Sequence, residues 1–314
     1  MFRICLGLIL HVVLIGAAFA EANAEQLIKD KSWSATWIPY YATINQDATK
    51  GSLATTTTIN SQSFRIEKRI NSVFDIGIDL TFEQSNQVAN KKLSGFGTKA
   101  SLGQDSYEAN VFGRTKVGVI SLESHVRFGR DNYKLLRPDL LTGLVGQSKS
   151  SGYHFGSYVE ASATIPLNEY FFVRPVVDFD YEYLSVNSFS ETGAGPGNIT
   201  FSRVEDRRAI GQVGIALGAK WDMSDASSLT VFVNTKYRRN FLTGPISTNA
   251  VQPRGLGYLG KQTLSNGQEK EGLILDVGTM LSKNNGMQIW AVYRGQYFPS
   301  STRHGLSGQL KISF

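Results

Sequence analysis

The chain has 314 residues, a net charge of +6 and one cysteine, Cys5. A lone cysteine excludes an internal disulfide and a cysteine-based metal centre. No stretch beyond residue 24 stays apolar for the ~20 residues that a spanning helix needs, which excludes a helical membrane protein. The excess of Lys and Arg forms no cluster with interleaved aromatics, so a nucleic-acid surface is not expected; anionic lipid head groups or anionic solutes fit a basic chain better.

The first residues read as an export signal. Arg3 gives a positive start, residues 4–19 an apolar run, and Ala22-Asn23-Ala24 a small-residue cleavage site, with Ala18-Phe19-Ala20 as a second. Cys5 lies inside this segment. The expected division is a cleaved signal at 1–24, an N-terminal segment at 25–50 that forms a first strand or lies in a pore, and a β-barrel at 51–314.

Beyond the signal the apolar residues recur every second position, the period of a strand. Residues 33–45 carry Trp33, Trp37, Tyr40 and Tyr41, suited to an interfacial belt, although Pro39 fits only an edge or bulge. Thr-rich residues 54–68 follow. Then Phe74, Ile76, Ile78, Leu80 and Phe82 alternate with Asp75, Gly77, Asp79, Thr81 and Glu83, a lipid face against a lumen face. Further strands are expected at 93–102, 117–128 and 153–165. At 171–183 Phe171, Val173, Val177, Phe179, Tyr181 and Tyr183 oppose Arg174, Asp178, Asp180 and Glu182. Strands at 209–221, 229–237, 273–281, 289–297 and 306–314 complete the chain. In the last, Leu306, Gly308, Leu310, Ile312 and Phe314 share one face.

Connections at 130–151, 185–204 and 240–270 read as long loops. Those at 166–169, 222–227 and 284–286 read as short turns. An exported chain of alternating strands without apolar blocks suits a closed barrel in lipid, where each backbone group is paired within the wall. The expected fold is therefore all-β: a transmembrane antiparallel up-and-down β-barrel of about 12 strands, with 10 or 14 as alternatives, in the outer membrane of a Gram-negative bacterium. Short turns would face the periplasm and long loops the outside. The stretch 103–116 is long for a periplasmic turn.

Two segments carry a family resemblance. Val173-Arg174-Pro175 enters a Tyr-ended strand followed by Phe189-Ser190-Glu191-Thr192-Gly193-Ala194, and the end of the chain carries Tyr293, His304, Gly308 and Phe314. This resembles the β-barrel translocator domain of bacterial autotransporters. The resemblance implies twelve strands, inserted with periplasmic chaperones by the barrel-assembly machinery, which would read Leu306, Gly308, Leu310, Ile312 and Phe314. Family members carry a secreted passenger before the barrel. Here about ten residues separate the cleavage site from the first candidate strand, so a passenger-less relative is expected.

Candidate functional residues are the lumen charges Arg174, Asp178, Asp180, Glu182, Asp75, Asp79 and Arg238. They would brace the barrel or, as rings of charge do in channels, select solutes. Glu83, Arg127 and Lys236 could join them. A surface-exposed barrel or anchor is the leading reading, a porin-like channel with a solute in its pore the alternative, and an outer-membrane hydrolase a distant one. No catalytic residue, cofactor or metal is assigned: His125, His154 and His304 are far apart in sequence, and no nucleophile stands beside a base. Gly255-Leu256-Gly257-Tyr258-Leu259-Gly260 matches a dinucleotide fingerprint in spacing only, with no helix expected after it. Partners are outer-membrane lipids and lipopolysaccharide; the oligomeric state is not legible.

Overall fold

A computed structural model describes residues 32–48, 54–90, 99–139, 142–224, 227–242, 246–251, 258–264, 269–284 and 286–314. The signal at 1–24, most of the 93–102 strand and the first half of the glycine fingerprint lie outside these residues. Twelve long strands form the wall: β1 (Trp33–Gln46), β2 (Thr55–Arg69), β3 (Phe74–Ala89), β4 (Ser101–Val117), β5 (Ile120–Pro138), β6 (Val145–Ala163), β7 (Phe171–Val186), β8 (Val204–Ser224), β9 (Ser227–Asn240), β10 (Glu271–Lys283), β11 (Met287–Tyr297) and β12 (Ser301–Ser313). Each pairs antiparallel with its chain neighbours, and β1 pairs with β12 to close the barrel. No free edge remains on the wall, the condition for strands to cross a bilayer.

The alternation sorts the side chains as a membrane barrel requires. Ile78, Leu80, Val111, Phe128, Val177, Val213 and Leu217 are exposed on the outside. Their register neighbours Asp79, Asn110 and Asp178 are buried on the inside. Water outside would make this apolar wall costly, whereas lipid makes it favourable.

Tight turns close one end. Gly118, at φ +59°, sits in the two-residue link between Val117 and Ile120, where a primed hairpin turn demands a positive φ. Two other turns share one device. The Asn71 side chain accepts hydrogen bonds from the Val73 and Phe74 amides at 2.9 and 2.8 Å, and Asn168 accepts from Tyr170 and Phe171 at 2.9 and 2.8 Å. A short side-chain carbonyl in place of a backbone acceptor is the usual reason for Asn in such turns.

Four expectations need correction. The fourth strand is Ser101–Val117, not 93–102, and 103–116 is wall rather than turn. The loop expected at 130–151 is mostly strand: β5 runs to Pro138 and β6 resumes at Val145. Within 185–204 the pair Phe189–Ser190 and Thr200–Phe201 extends outward, and within 240–270 the strands Ile246–Val251 and Tyr258–Leu264 form a hairpin against it. Finally, Tyr40 faces the lumen and not the membrane belt, as does Phe172. Tyr40 accepts a hydrogen bond from Arg303 at 3.0 Å, and Phe172 lies over the lumen-side Gly218.

Candidate functional site

The lumen wall is laced with ion pairs that jump over a strand. Arg127 on β5 reaches Asp180 on β7 at 2.7 Å and stands 3.7 Å from Glu182. Between them on β6 lies Gly156, opposite both Arg127 and Glu182 in register. A Cβ there would collide with the Arg127 side chain. Likewise Lys236 on β9 passes over Gly214 to Asp178 on β7 at 2.8 Å, with Glu160 on β6 at 3.6 Å. His154 on β6 crosses Gly129 to Glu108 at 3.1 Å while holding Asp131 at 2.9 Å. Glycine on the lumen face is thus a slot in which a long cationic side chain lies flat to reach the second strand along.

The lattice continues around the barrel. Lys311 on β12 pairs with Glu67 on β2. Arg114 on β4 binds Glu123 at 2.7 Å and stands 3.8 Å from Glu67. Arg294 grips Asp276 through two nitrogens at 2.7 and 3.1 Å. The carboxylates of Glu67 and Asp276 are buried, and leaving either without its cation would be costly.

Every lumen charge expected from sequence faces inward. Arg174 donates to Glu160 at 2.8 Å and to Ser162 at 2.9 Å. Asp79 is held by Arg65 at 3.1 Å, and Asp75 by Arg69 at 3.5 Å. Arg238 instead lies 5.1 Å over the Phe298 ring. The seven do not form one cluster: Asp180 and Glu182 share Arg127, Arg174 and Asp178 are linked through Glu160 and Lys236, Asp75 and Asp79 have their own arginines, and Arg238 stands on a ring. Sequence reasoning missed Glu67, Glu108, Arg114, Glu160, Asp276, Arg294 and Lys311. Several could have been found by parity, since Glu160 stands between Val159 and Ala161, and Asp276 between Leu275 and Val277.

A second polar centre lies beyond the wall at the loop end. Arg137 makes a fork to Glu191 at 2.8 and 2.6 Å and donates to the Gly197 carbonyl at 2.7 Å. The Glu191 side chain is fully buried, and its carboxylate also accepts the Ile199 amide at 3.0 Å. Asp139 accepts from the Thr142 amide and hydroxyl at 3.1 and 2.6 Å. Burial pushes the Asp139 carboxyl up, but Thr142 and the Arg137 guanidinium outweigh it and hold the group below the usual carboxylate range. This clamp fastens the 187–203 connection to the tips of β5 and β6. Glu191 belongs to the segment that carried the family resemblance.

The terminal strand closes the barrel. Trp33 and Phe314 exchange backbone hydrogen bonds at 3.1 and 2.8 Å. Leu306, Ile312 and Phe314 are exposed on the outside, with Gly308 and Leu310 between them in the alternation. The β1–β12 ladder keeps one register but is interrupted between Trp37↔Leu310 and Tyr40↔Ser307, at Pro39, which has no N–H to give.

A closed twelve-stranded wall, apolar outside and charged inside, defines an outer-membrane β-barrel. The chain belongs to the autotransporter beta-domain family, which it matches over residues 37–294. No curated protein matches the sequence. Among solved structures it is similar to the translocator domain of the autotransporter NalP from Neisseria meningitidis, with a TM-score of 0.71, 15% identity and coverage of 97% of this chain and 96% of that one. The beta domain of the Bordetella autotransporter BrkA gives a TM-score of 0.65 at 10% identity, covering 90% and 100%. The transport unit of AIDA-I from Escherichia coli gives 0.62 at 12% identity, covering 95% and 97%. At such identities the likeness carries the fold alone.

Proposed function

We propose that this barrel is a non-catalytic surface anchor: exported by the signal at 1–24, inserted through its last strand, and presenting the connections at 139–144, 187–203 and 241–270 outside the cell. The supporting observation is the paired state of the lumen. Arg127, Lys236, Arg294 and Arg114 each already hold a carboxylate, so the wall charges brace the barrel instead of waiting for a solute. The Arg137–Glu191 clamp adds that an external connection is held in a defined shape, as a display surface needs. The barrel-assembly machinery and periplasmic chaperones are the proposed partners in biogenesis, with Leu306, Gly308, Leu310, Ile312 and Phe314 as the signal read.

The test is ion conductance of the refolded chain, without residues 1–24, in a planar bilayer. An anchor stays silent although folded. Steady openings that grow with salt would overturn this reading in favour of a porin-like channel, and charge reversal at Asp178 would then alter ion selectivity. Orientation is read separately. Leu144→Cys, at an exposed loop position, is expected to react with an impermeant maleimide on intact cells.

A further inference from the structure

The outer face of the wall is uneven in charge toward the loop end. On β5, β6, β8 and β9 the outward side chains there include Arg130, Lys134, Lys149, Arg207 and Arg239, with Arg203 just before β8, all exposed. On the other strands the corresponding outward positions are uncharged, as at Asn45, Thr56 and Gln84, apart from Asp105 and Glu271. The cations therefore gather on one side of the barrel instead of ringing it.

The patch has an aromatic floor. The Tyr153 and Tyr183 rings stand 6.2 Å apart. Arg203 ties their hydroxyls, donating at 2.7 and 3.4 Å, and Arg207 lies 5.7 Å over the Tyr183 ring. Lys134 and Arg203 have carboxylate neighbours, Asp105 at 3.6 Å and Glu205 at 3.3 Å. Arg130, Lys149, Arg207 and Arg239 form no ion pair with a described carboxylate, whereas Arg127, Lys236 and Arg294 of the lumen each hold one. One outward position below Arg130 and Arg239 are the exposed Phe128 and Tyr237, and further down the strand from Arg207, past Ala209 and Gly211, is the exposed Val213.

Cations without partners, standing over an apolar surface that faces lipid, match a molecule with phosphates above and acyl chains below. Arg binds phosphate through paired N–H groups, and basic pockets at a membrane surface recognise charged head groups in this way. We propose that the β5–β9 wall binds a phosphorylated glycolipid of the outer leaflet, lipopolysaccharide, with phosphates on Arg130, Lys149 and Arg207 and acyl chains along Phe128 and Val213. The assignment rests on the proposed topology with the 139–144 connection outside.

The test is native mass spectrometry of the full chain purified in detergent and titrated with lipopolysaccharide. Its arms are dephosphorylated lipopolysaccharide and competition by inorganic phosphate. The variant carries Arg130→Gln, Lys149→Gln and Arg207→Gln. Lys68→Gln, outward at the turn end beside Trp33, is the control. Heat-shifted gel mobility verifies that each barrel is folded. Wild type and Lys68→Gln are expected to retain the lipid, and the triple variant to bind it about tenfold more weakly or less. Equal retention by the triple variant, equal retention of the dephosphorylated lipid, displacement by phosphate at the lipid's own concentration, or loss in Lys68→Gln would each overturn the site. Labelling of Leu144→Cys on intact cells without lipid retention fails the site alone; absence of labelling fails the topology beneath it.

Discussion

At the scale of single residues, the lumen shows why a glycine can matter more than the charge it serves. Gly156 has no catalytic chemistry, yet any side chain there would displace Arg127 from Asp180. Gly156→Val is expected to destabilise the barrel by about 1–3 kcal/mol, the cost of stranding polar groups in a poorly hydrated site, as read from urea unfolding in lipid vesicles. If Arg127→Gln is equally destabilised and the double variant no worse than either, the two act as one unit. The loop-end clamp follows the same logic. Arg137→Ala leaves the buried Glu191 carboxylate without its partner, a loss of about 3 kcal/mol confined to the 187–203 connection. Faster proteolytic nicking there, with an intact wall, is the expected readout. Acid should do the same through Asp139. Its folded pKa lies below the unfolded value, so the unfolded loop takes up the proton first. The contribution is present above about pH 4 and lost as the pH falls through the folded value. Hydrogen exchange at the Thr142 amide should accelerate over that window, and Asp139→Asn should flatten the profile.

At the scale of elements, the seam between β1 and β12 is the interrupted one. The Trp33–Phe314 exchange sets which positions hydrogen-bond across the seam, and counting by two places Pro39 opposite Gly308 at such a position. Pro39→Val supplies the missing donor and is expected to stabilise the barrel by about 1 kcal/mol; an unchanged urea midpoint would show that the gap is otherwise satisfied. Phe314→Ala should lower folded protein in the outer membrane, and normal levels would remove Phe314 from the assembly signal. The strands were legible where one face met lipid and the other charge, as at Phe74 to Glu83 and Phe171 to Tyr183. They were not legible where both faces are polar. The outer half of β5 runs Asp131-Asn132-Tyr133-Lys134, and the first half of β6 runs Gln147-Ser148-Lys149-Ser150, with no apolar period to read. β4 was misplaced because Phe112 points inward, stacked beside Arg65 at 4.3 Å, and breaks the parity of Tyr107, Ala109 and Val111. Lumen charges were visible as a face, but not their partners: Arg127–Asp180 and Lys236–Asp178 join strands far apart in sequence and skip the strand between, while Arg65–Asp79 and Arg114–Glu123 meet only once the register of neighbouring strands is set.

At the scale of the whole molecule, closure ties the two ends of the chain together, and this can be tested by locking it. Ser34 and Ser313 are register partners on β1 and β12, at a non-hydrogen-bonded position next to the Trp33–Phe314 exchange. Such positions bring Cα atoms to ~4.5 Å, within the range a disulfide spans. The chain's own cysteine, Cys5, lies in the segment proposed to be removed, so Ser34→Cys with Ser313→Cys gives a single designed pair. Oxidation of the folded barrel should join them and close nearly the whole wall into one covalent loop. Restricting so long a loop in the unfolded chain stabilises the barrel by about 5 kcal/mol on the loop-entropy account. The oxidised variant should therefore unfold at higher urea than the reduced one, and heating in detergent should leave it more compact until reductant is added. A pair that stays reduced in a folded barrel would mean that β1 does not lie beside β12 in this register. The wall would then be an eleven-stranded sheet with a free segment, and the lumen bridge from Lys311 to Glu67, which crosses β1, would have no place to form.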